Sequence, residues 1–272
     1  MPLPSFARLL GTSLLAALTV AAATQAAAQA TAQTPLRIGV EGAYPPFSEI
    51  GTDGKLKGFD IDIARALCER IKASCELVQS EFDALIPALR AKKIDAIVAS
   101  MSITPERRKN VDFTERYYNT PARMMIREGV ELDISPAGLK GRKIGVQRTT
   151  IHDRYATATF KQSTIVRYAK QDEVFLDLKS GRLDATLVDV VAGDIGFLKT
   201  PAGKGFRFHG PFYTDPAFFG DGAGIAVRKG DDTLRKSLNG AIAAIRADGS
   251  YKKIQDKYFA FDIYGADGAK KP

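Results

Sequence analysis

A weak internal repeat constrains this chain more than any other feature. Leu89-Arg90-Ala91-Lys92-Lys93-Ile94-Asp95-Ala96 resembles Leu178-Lys179-Ser180-Gly181-Arg182-Leu183-Asp184-Ala185, each closing a helical stretch and opening a buried strand. Arg37-Ile38-Gly39-Val40 likewise resembles Lys143-Ile144-Gly145-Val146. The offsets differ, 89 for the first pair and 106 for the second, so the pattern predicts two related βα lobes with different loops rather than tandem copies. Strands alternating with helices predict parallel α/β sheets. Ligands of open α/β sheets bind beyond the carboxyl ends of strands. The repeat therefore pairs Glu41 with Gln147 and Ser100 with Asp189 at equivalent strand ends, and brings the four to one cleft.

Local patterns fill in the elements. Leu36-Arg37-Ile38-Gly39-Val40 reads as a buried strand followed by a loop with Gly42, Pro45 and Pro46. Ile63, Leu67 and Ile71 recur every four residues and predict an amphipathic helix over 60–72, with Asp60 as its cap. A strand starts at Leu77-Val78, a short helix spans 83–91, and Ala96-Ile97-Val98 is a strand. Near the C-terminus Leu234, Leu238, Ala241, Ile242 and Ile245 share one helix face, and Ser250 is placed to cap a second helix. The last stretch, 265–272, reads as a disordered polar tail.

The first thirty residues read as a cleavable export signal. Arg8 supplies the positive segment, 9–23 is uncharged and mostly apolar, and small residues at 26–30 offer cleavage after Ala28 or Ala30. Export makes Cys68 and Cys75 a disulfide, because a pair of cysteines in an oxidising compartment usually closes. Seven helical residues would hold their Cα atoms about 10 Å apart, too far for a bridge. The helix must therefore end near Lys72 or Ala73.

Composition removes several function classes. Hydrophobic residues make up 45% and charged residues 26%, as in an ordinary globular chain. Two Cys and two His leave little for a multi-ligand metal site. A net charge of +8 is spread without a basic run, so no nucleic-acid partner is expected. Gly-x-Ser-x-Gly, P-loop and His-Glu-x-x-His motifs are missing, and no enzyme, cofactor or metal is expected.

What remains is suited to holding a small charged molecule. Thr104 is a good helix cap with Pro105 at the first helical position, and Arg107 lies one turn in, a combination that suits a carboxylate. Asp189 ends the buried run Ala185-Thr186-Leu187-Val188, where a carboxylate is costly unless it meets a cation. Glu41 holds a similar strand end, flanked by Tyr44 and Phe82, which can wall an aliphatic chain or stack on a planar cation.

At these residues the sequence resembles periplasmic binding proteins for cationic amino acids, the lysine/arginine/ornithine and histidine type that serves ABC importers. The resemblance is carried by Tyr44-Pro45-Pro46-Phe47, Gly58-Phe59-Asp60-Ile61-Asp62, Phe82-Asp83-Ala84-Leu85-Ile86-Pro87, Ser100-Met101-Ser102-Ile103-Thr104 with Arg107, and Phe219-Gly220-Asp221-Gly222, over 36–265. It implies an α/β fold of two lobes, each a central mixed sheet flanked by helices. The implied lobe 1 spans 31–118 and 223–264 and lobe 2 spans 123–213, with hinges at 119–122 and 214–222. It also implies a monomer that delivers a basic amino acid to an inner-membrane permease. Arg107, the Ser102 amide and the loop at Thr150 and Ile151 would take the α-carboxylate, and Asp189 and Ser100 the α-ammonium. Tyr44 and Phe82 would sandwich the side chain, Glu41 would meet its distal cation, and Ala99, Met101 and Gln147 would complete the site. Glu41, Ala99, Gln147 and Thr149 depart from the family's common Asp, Ser, Leu and Gly. Opines, and a secreted enzyme on the same fold such as a cyclohexadienyl dehydratase, are the alternative readings.

Overall fold

The structure, a computed structural model, describes Met1 and residues 35–265. The leader reading and the tail reading beyond Gly265 lie outside the described residues. Two five-stranded sheets dominate. In the first, β5 (Cys75–Gln79), β1 (Leu36–Val40), β6 (Ala96–Ile97), β13 (Ala223–Arg228) and β7 (Val111–Tyr118) lie side by side. In the second the order is β10 (Thr164–Tyr168), β9 (Lys143–Gln147), β11 (Ala185–Asp189), β8 (Ala122–Arg127) and β12 (Phe206–Tyr213). The small strands β2 (Ala43–Tyr44), β3 (Ser48–Ile50) and β4 (Leu56–Lys57) form a third sheet.

The predicted repeat is visible in the register. Ile38 pairs with Ala96 and Gly39 with Ile97, while Ile144 pairs with Ala185 and Gly145 with Thr186. Those are the sequence equivalents at offsets 106 and 89. The repeated glycines share one physical reason. A Cβ at Gly39 would meet Ile94 Cδ1 at 2.4 Å and Leu85 Cδ2 at 2.9 Å; at Gly145 it would meet Leu183 Cδ1 at 2.3 Å and Val174 Cγ1 at 2.8 Å. A side chain there would force the side chains that cover the strand to shift. The repeated aspartates also match. Asp95 accepts the Arg37 amide at 3.0 Å, and Asp184 accepts the Lys143 amide at 2.7 Å, each tying the start of one strand to its neighbour.

The sheets are mixed rather than purely parallel. Strands β5, β1 and β6 run parallel, as do β10, β9 and β11, but β13 in the first sheet and β8 in the second pair antiparallel with both of their neighbours, β6 and β7, and β11 and β12. Helix–strand alternation alone predicts parallel sheets and misses these strands, which are not βα units, whereas the central mixed sheet that the resemblance implied for each lobe is found. Strands β7, β8, β12 and β13 flank the two segments, 119–121 and 214–222, where the chain passes from one sheet to the other.

Helix boundaries move by one or two residues from the sequence reading. The first helix, α1, is Phe59–Arg70, and α2 is Phe82–Arg90. Gly58, at φ 126°, precedes α1; Asp60 does not cap it and is fully buried instead. The strand expected to begin at Leu77 begins at Cys75, and Ser250 is the first residue of its helix, with Gly249 at the cap position. The helix Asp232–Ala247 buries Leu238, Ala241, Ile242 and Ile245, as their spacing requires.

Cys68 and Cys75 are bridged, with Cα atoms 6.1 Å apart. The separation is reached because α1 stops at Arg70 and Lys72, at φ 54°, reverses the chain. Closing an eight-residue loop stabilises by roughly 2.5 kcal/mol on the chain-entropy model. Replacing both cysteines by serine should lower the unfolding free energy by about that amount, read from urea denaturation. An unchanged midpoint would mean that the helix end alone fixes the turn.

Candidate functional site

The carboxyl ends of both sheets face one cleft. Glu41 and Gln147 each lie at the end of the first parallel strand of their sheet, and Gln147 Nε2 donates to Glu41 Oε1 at 2.5 Å. The inner cavity is lined by Glu41, Tyr44, Phe82, Ala99, Ser100, Ser102, Arg107, Tyr118, Gln147, Thr150, Ile151, His152 and Asp189. Eleven of the twelve predicted residues are therefore brought together. Met101 is not: its side chain is buried among Ile97, Ala99, Ile103 and Phe113, and only its backbone serves the region, accepting from Gly224 at 3.0 Å.

Arg107 follows the capped start at Thr104, whose hydroxyl accepts the Arg107 amide at 3.2 Å. Its guanidinium donates to the carbonyls of Ser102 at 3.0 Å and Thr149 at 3.3 Å and lies 5.3 Å from the Phe82 ring centroid. Burial, with the neighbouring Arg154 charge, lowers its pKa to about 10. Among the described residues no carboxylate offsets that charge. Next to it His152 is buried and held neutral, its pKa lowered to about 3 by desolvation and by Arg107.

The opposite sign is left over on the other walls. Glu41 is raised to about 8, Asp60 to about 7 and Asp189 to about 6, in each case chiefly by desolvation. Asp189 is stabilised by hydrogen-bond donors and not by a cation. Its Oδ1 accepts the Val191 and Ala192 amides at 2.8 and 3.0 Å, and Oδ2 accepts the Thr120 hydroxyl. Asp189 caps the short helix that follows it, and these donors let the fold hold a buried carboxylate there. Asp60 accepts from Ser100 and Tyr117 hydroxyls. No lysine or arginine side chain faces any of the three among the described residues. The pattern is one guanidinium without an anion and several carboxylates without a cation, a setting for a zwitterion that carries an extra positive charge.

Sequence reasoning missed Thr120 and Tyr118, which stand beside the first crossing between sheets. Thr150 is less available than expected, since its hydroxyl donates to the Gln147 carbonyl at 2.7 Å. Thr149 adopts φ 60°, which explains why the family's common residue there is Gly. A wider depression of about 530 Å³ also borders Arg107; there Arg167 pairs with Asp153 at 2.8 Å, and Arg154 donates to the Ala217 carbonyl.

Two mixed sheets whose strand ends converge on a cleft of unsatisfied charge define a two-lobed solute-binding protein. The chain belongs to the bacterial extracellular solute-binding proteins, family 3, whose model matches residues 36–261. It is 56% identical to the L-arginine-binding protein of Pseudomonas aeruginosa over 238 residues, 87% of this chain and 92% of that protein. It is 42% identical to the lysine/arginine/ornithine-binding periplasmic protein of Escherichia coli over 259 residues, 94% of this chain and 98% of that one. Among solved structures, an arginine-specific periplasmic binding protein of Salmonella typhimurium superposes with a TM-score of 0.77 at 36% identity, covering 83% of this chain and 99% of that one.

The raised Glu41 pKa has a consequence for stability. Between about 4.5 and about 8 the folded protein keeps a proton that the unfolded chain has lost, so this group's contribution falls as pH rises through that window. Glutamine has no such proton. The Glu41→Gln variant should therefore gain in Tm relative to the parent as pH is raised across the same window, measured without added amino acid. A difference that stays constant with pH would mean that the Glu41 carboxyl is well solvated.

Proposed function

We propose that this protein captures a basic L-amino acid in the periplasm, arginine, ornithine or lysine ahead of histidine, and delivers it to an ABC importer permease. The observation that carries the reading is the separation of unpaired charge across the cleft. An α-carboxylate meets Arg107 with the Ser102 and Thr150–Ile151 backbone. An α-ammonium meets Asp189 and Ser100. The side chain passes between Tyr44 and Phe82, and its distal cation reaches Glu41, which Gln147 holds in place. The names of the relatives, arginine-binding and lysine/arginine/ornithine-binding, support the same ligand class. The segments 119–122 and 214–222 serve as hinges, and residues 1–30 as the export signal. The protein works without catalytic chemistry, cofactor or metal, and as a monomer.

Titration calorimetry with arginine, lysine, ornithine, histidine and glutamine tests the ligand class directly, and a preference for glutamine over all four basic ligands would refute it. Two variants test the assignments. Arg107→Ala should abolish detectable binding of every amino acid while the fold persists, because a charge-assisted bidentate pair is lost. Near-native affinity would remove Arg107 from the site. Glu41→Gln should weaken arginine by about 2–4 kcal/mol, the range for breaking a buried charge pair, and leave glutamine little changed. Equal losses for both ligands would place the distal cation elsewhere.

A further inference from the structure

One buried carboxylate near the cleft touches neither the cavity nor any ion-pair partner among the described residues. Asp60 is fully buried on α1 and does not line the cavity. Its Oδ2 accepts the Ser100 hydroxyl at 2.9 Å, and its Oδ1 accepts the Tyr117 hydroxyl at 2.8 Å. The Tyr117 hydroxyl oxygen in turn accepts the Ser100 amide at 3.1 Å. The three residues close a ring of hydrogen bonds that joins α1, β7 and the loop after β6. Ser100, the member that lines the cavity, sits at φ 52°, a left-handed conformation that a non-glycine residue adopts only when its surroundings hold it there.

The ring determines what Ser100 can offer the cavity. A hydroxyl has one proton to donate and two lone pairs. That proton goes to Asp60, and the Ser100 amide proton goes to Tyr117. Ser100 Oγ therefore faces the cavity as an acceptor, and acceptors are what a cation requires. Tyr117 is itself fixed, since its carbonyl accepts the Tyr251 hydroxyl at 2.6 Å and its ring stands 5.1 Å from the ring of Tyr118. The carboxylate behind Ser100 adds negative potential in a region of low dielectric, where charge acts over a longer distance than in water.

We infer that Asp60 is a positioning residue for the α-ammonium subsite, acting through the hydroxyl and backbone of Ser100. The inference rests on the reading of the cleft as an amino-acid site and extends it to a residue that no ligand touches. It separates two roles for buried acids in this lobe. Glu41 selects the side chain, whereas Asp60 serves the part of the ligand that every amino acid shares.

The test compares arginine with 5-guanidinopentanoate, which keeps the carboxylate and guanidinium and lacks the α-ammonium. Affinities of both are measured for the parent, Asp60→Asn, Ser100→Ala and the double variant, with Tm recorded alongside. Asp60→Asn should lose about tenfold or more in arginine affinity, the scale of a hydrogen-bond network serving a charged group, and far less for the des-amino ligand. The double variant should bind arginine no worse than Ser100→Ala alone, because both changes break one path. Equal losses for the two ligands, or losses that multiply in the double variant, would overturn the inference and leave Asp60 a general structural group. Should Asp60→Asn fail to fold, Tyr117→Phe removes one side of the ring while keeping the carboxylate, and the same selective loss is expected, smaller in size. A parent protein that binds no α-amino acid refutes the functional reading itself, an outcome visible before any variant is made.

Discussion

Charge kept from water without a counter-ion is the constraint on which this structure turns. Glu41, Asp60 and Asp189 are each desolvated enough to hold protons more tightly than a free carboxylate, and Arg107 is desolvated enough to hold its proton less tightly. Burying such groups without partners costs stability. A fold retains them only where the cost is recovered elsewhere, and a ligand of complementary charge recovers it upon binding. The partial compensation is local and specific: two helix amides and Thr120 for Asp189, two hydroxyls for Asp60, one amide for Glu41. Each partner is neutral, so hydrogen bonding is satisfied while the net charge is left for something else.

The scaffold that holds these groups is two versions of one packing solution. Strand, covering helix, strand and tying aspartate recur, and the sites of closest helix–strand approach fall on equivalent glycines. What differs is what stands at the strand ends. Where the first sheet ends in Glu41, the second ends in Gln147, and the two equivalents bond to each other across the cleft. An acid facing an acid at 2.5 Å would repel or share a proton, whereas an amide donates a hydrogen bond to one carboxyl oxygen of Glu41. A leucine at position 147, the residue common in the family, could not donate to Glu41 as Gln147 does.

Much of this was legible in the chain. The repeat offsets map onto the strand register, Thr104 caps the helix that carries Arg107, and the strand Leu36–Val40 stands where its apolar pattern put it. The parts that were not legible depend on partners far away in sequence. Asp60 looks like an acid in the first turn of a helix, which is a common surface choice; nothing in the heptapeptide around it reveals Tyr117, 57 positions on, or Ser100, 40 positions on. Asp189 looks like a bare charge because its caps are backbone amides, which every sequence has. Met101 stands between Ser100 and Ser102, yet its side chain is buried in the core cluster with Ile97 and Phe113, a partner 12 positions on that the local sequence does not reveal.

The same geometry bears on how a ligand would enter. The inner cavity has a volume of about 40 Å³, room for a few waters and not for an amino acid. It is narrowed by contacts that run from one sheet to the other: Gln147 on Glu41, Arg107 on the Thr149 carbonyl at 3.3 Å, and Arg148 on Glu81 at 2.8 Å and Asp83 at 2.6 Å. The Arg148 pairs are partly exposed, and ion pairs of that kind contribute little net free energy in water. Among the described residues two crossing segments join the sheets covalently, and a buried apolar cluster that includes Tyr44 and Phe47 on one side and Phe175 and Phe197 on the other also spans them. A ligand that supplies a carboxylate to Arg107 and cations to the acids would replace weak, solvent-screened pairs with desolvated ones. The stability of the closed form would then follow the ligand's charge pattern more closely than its size.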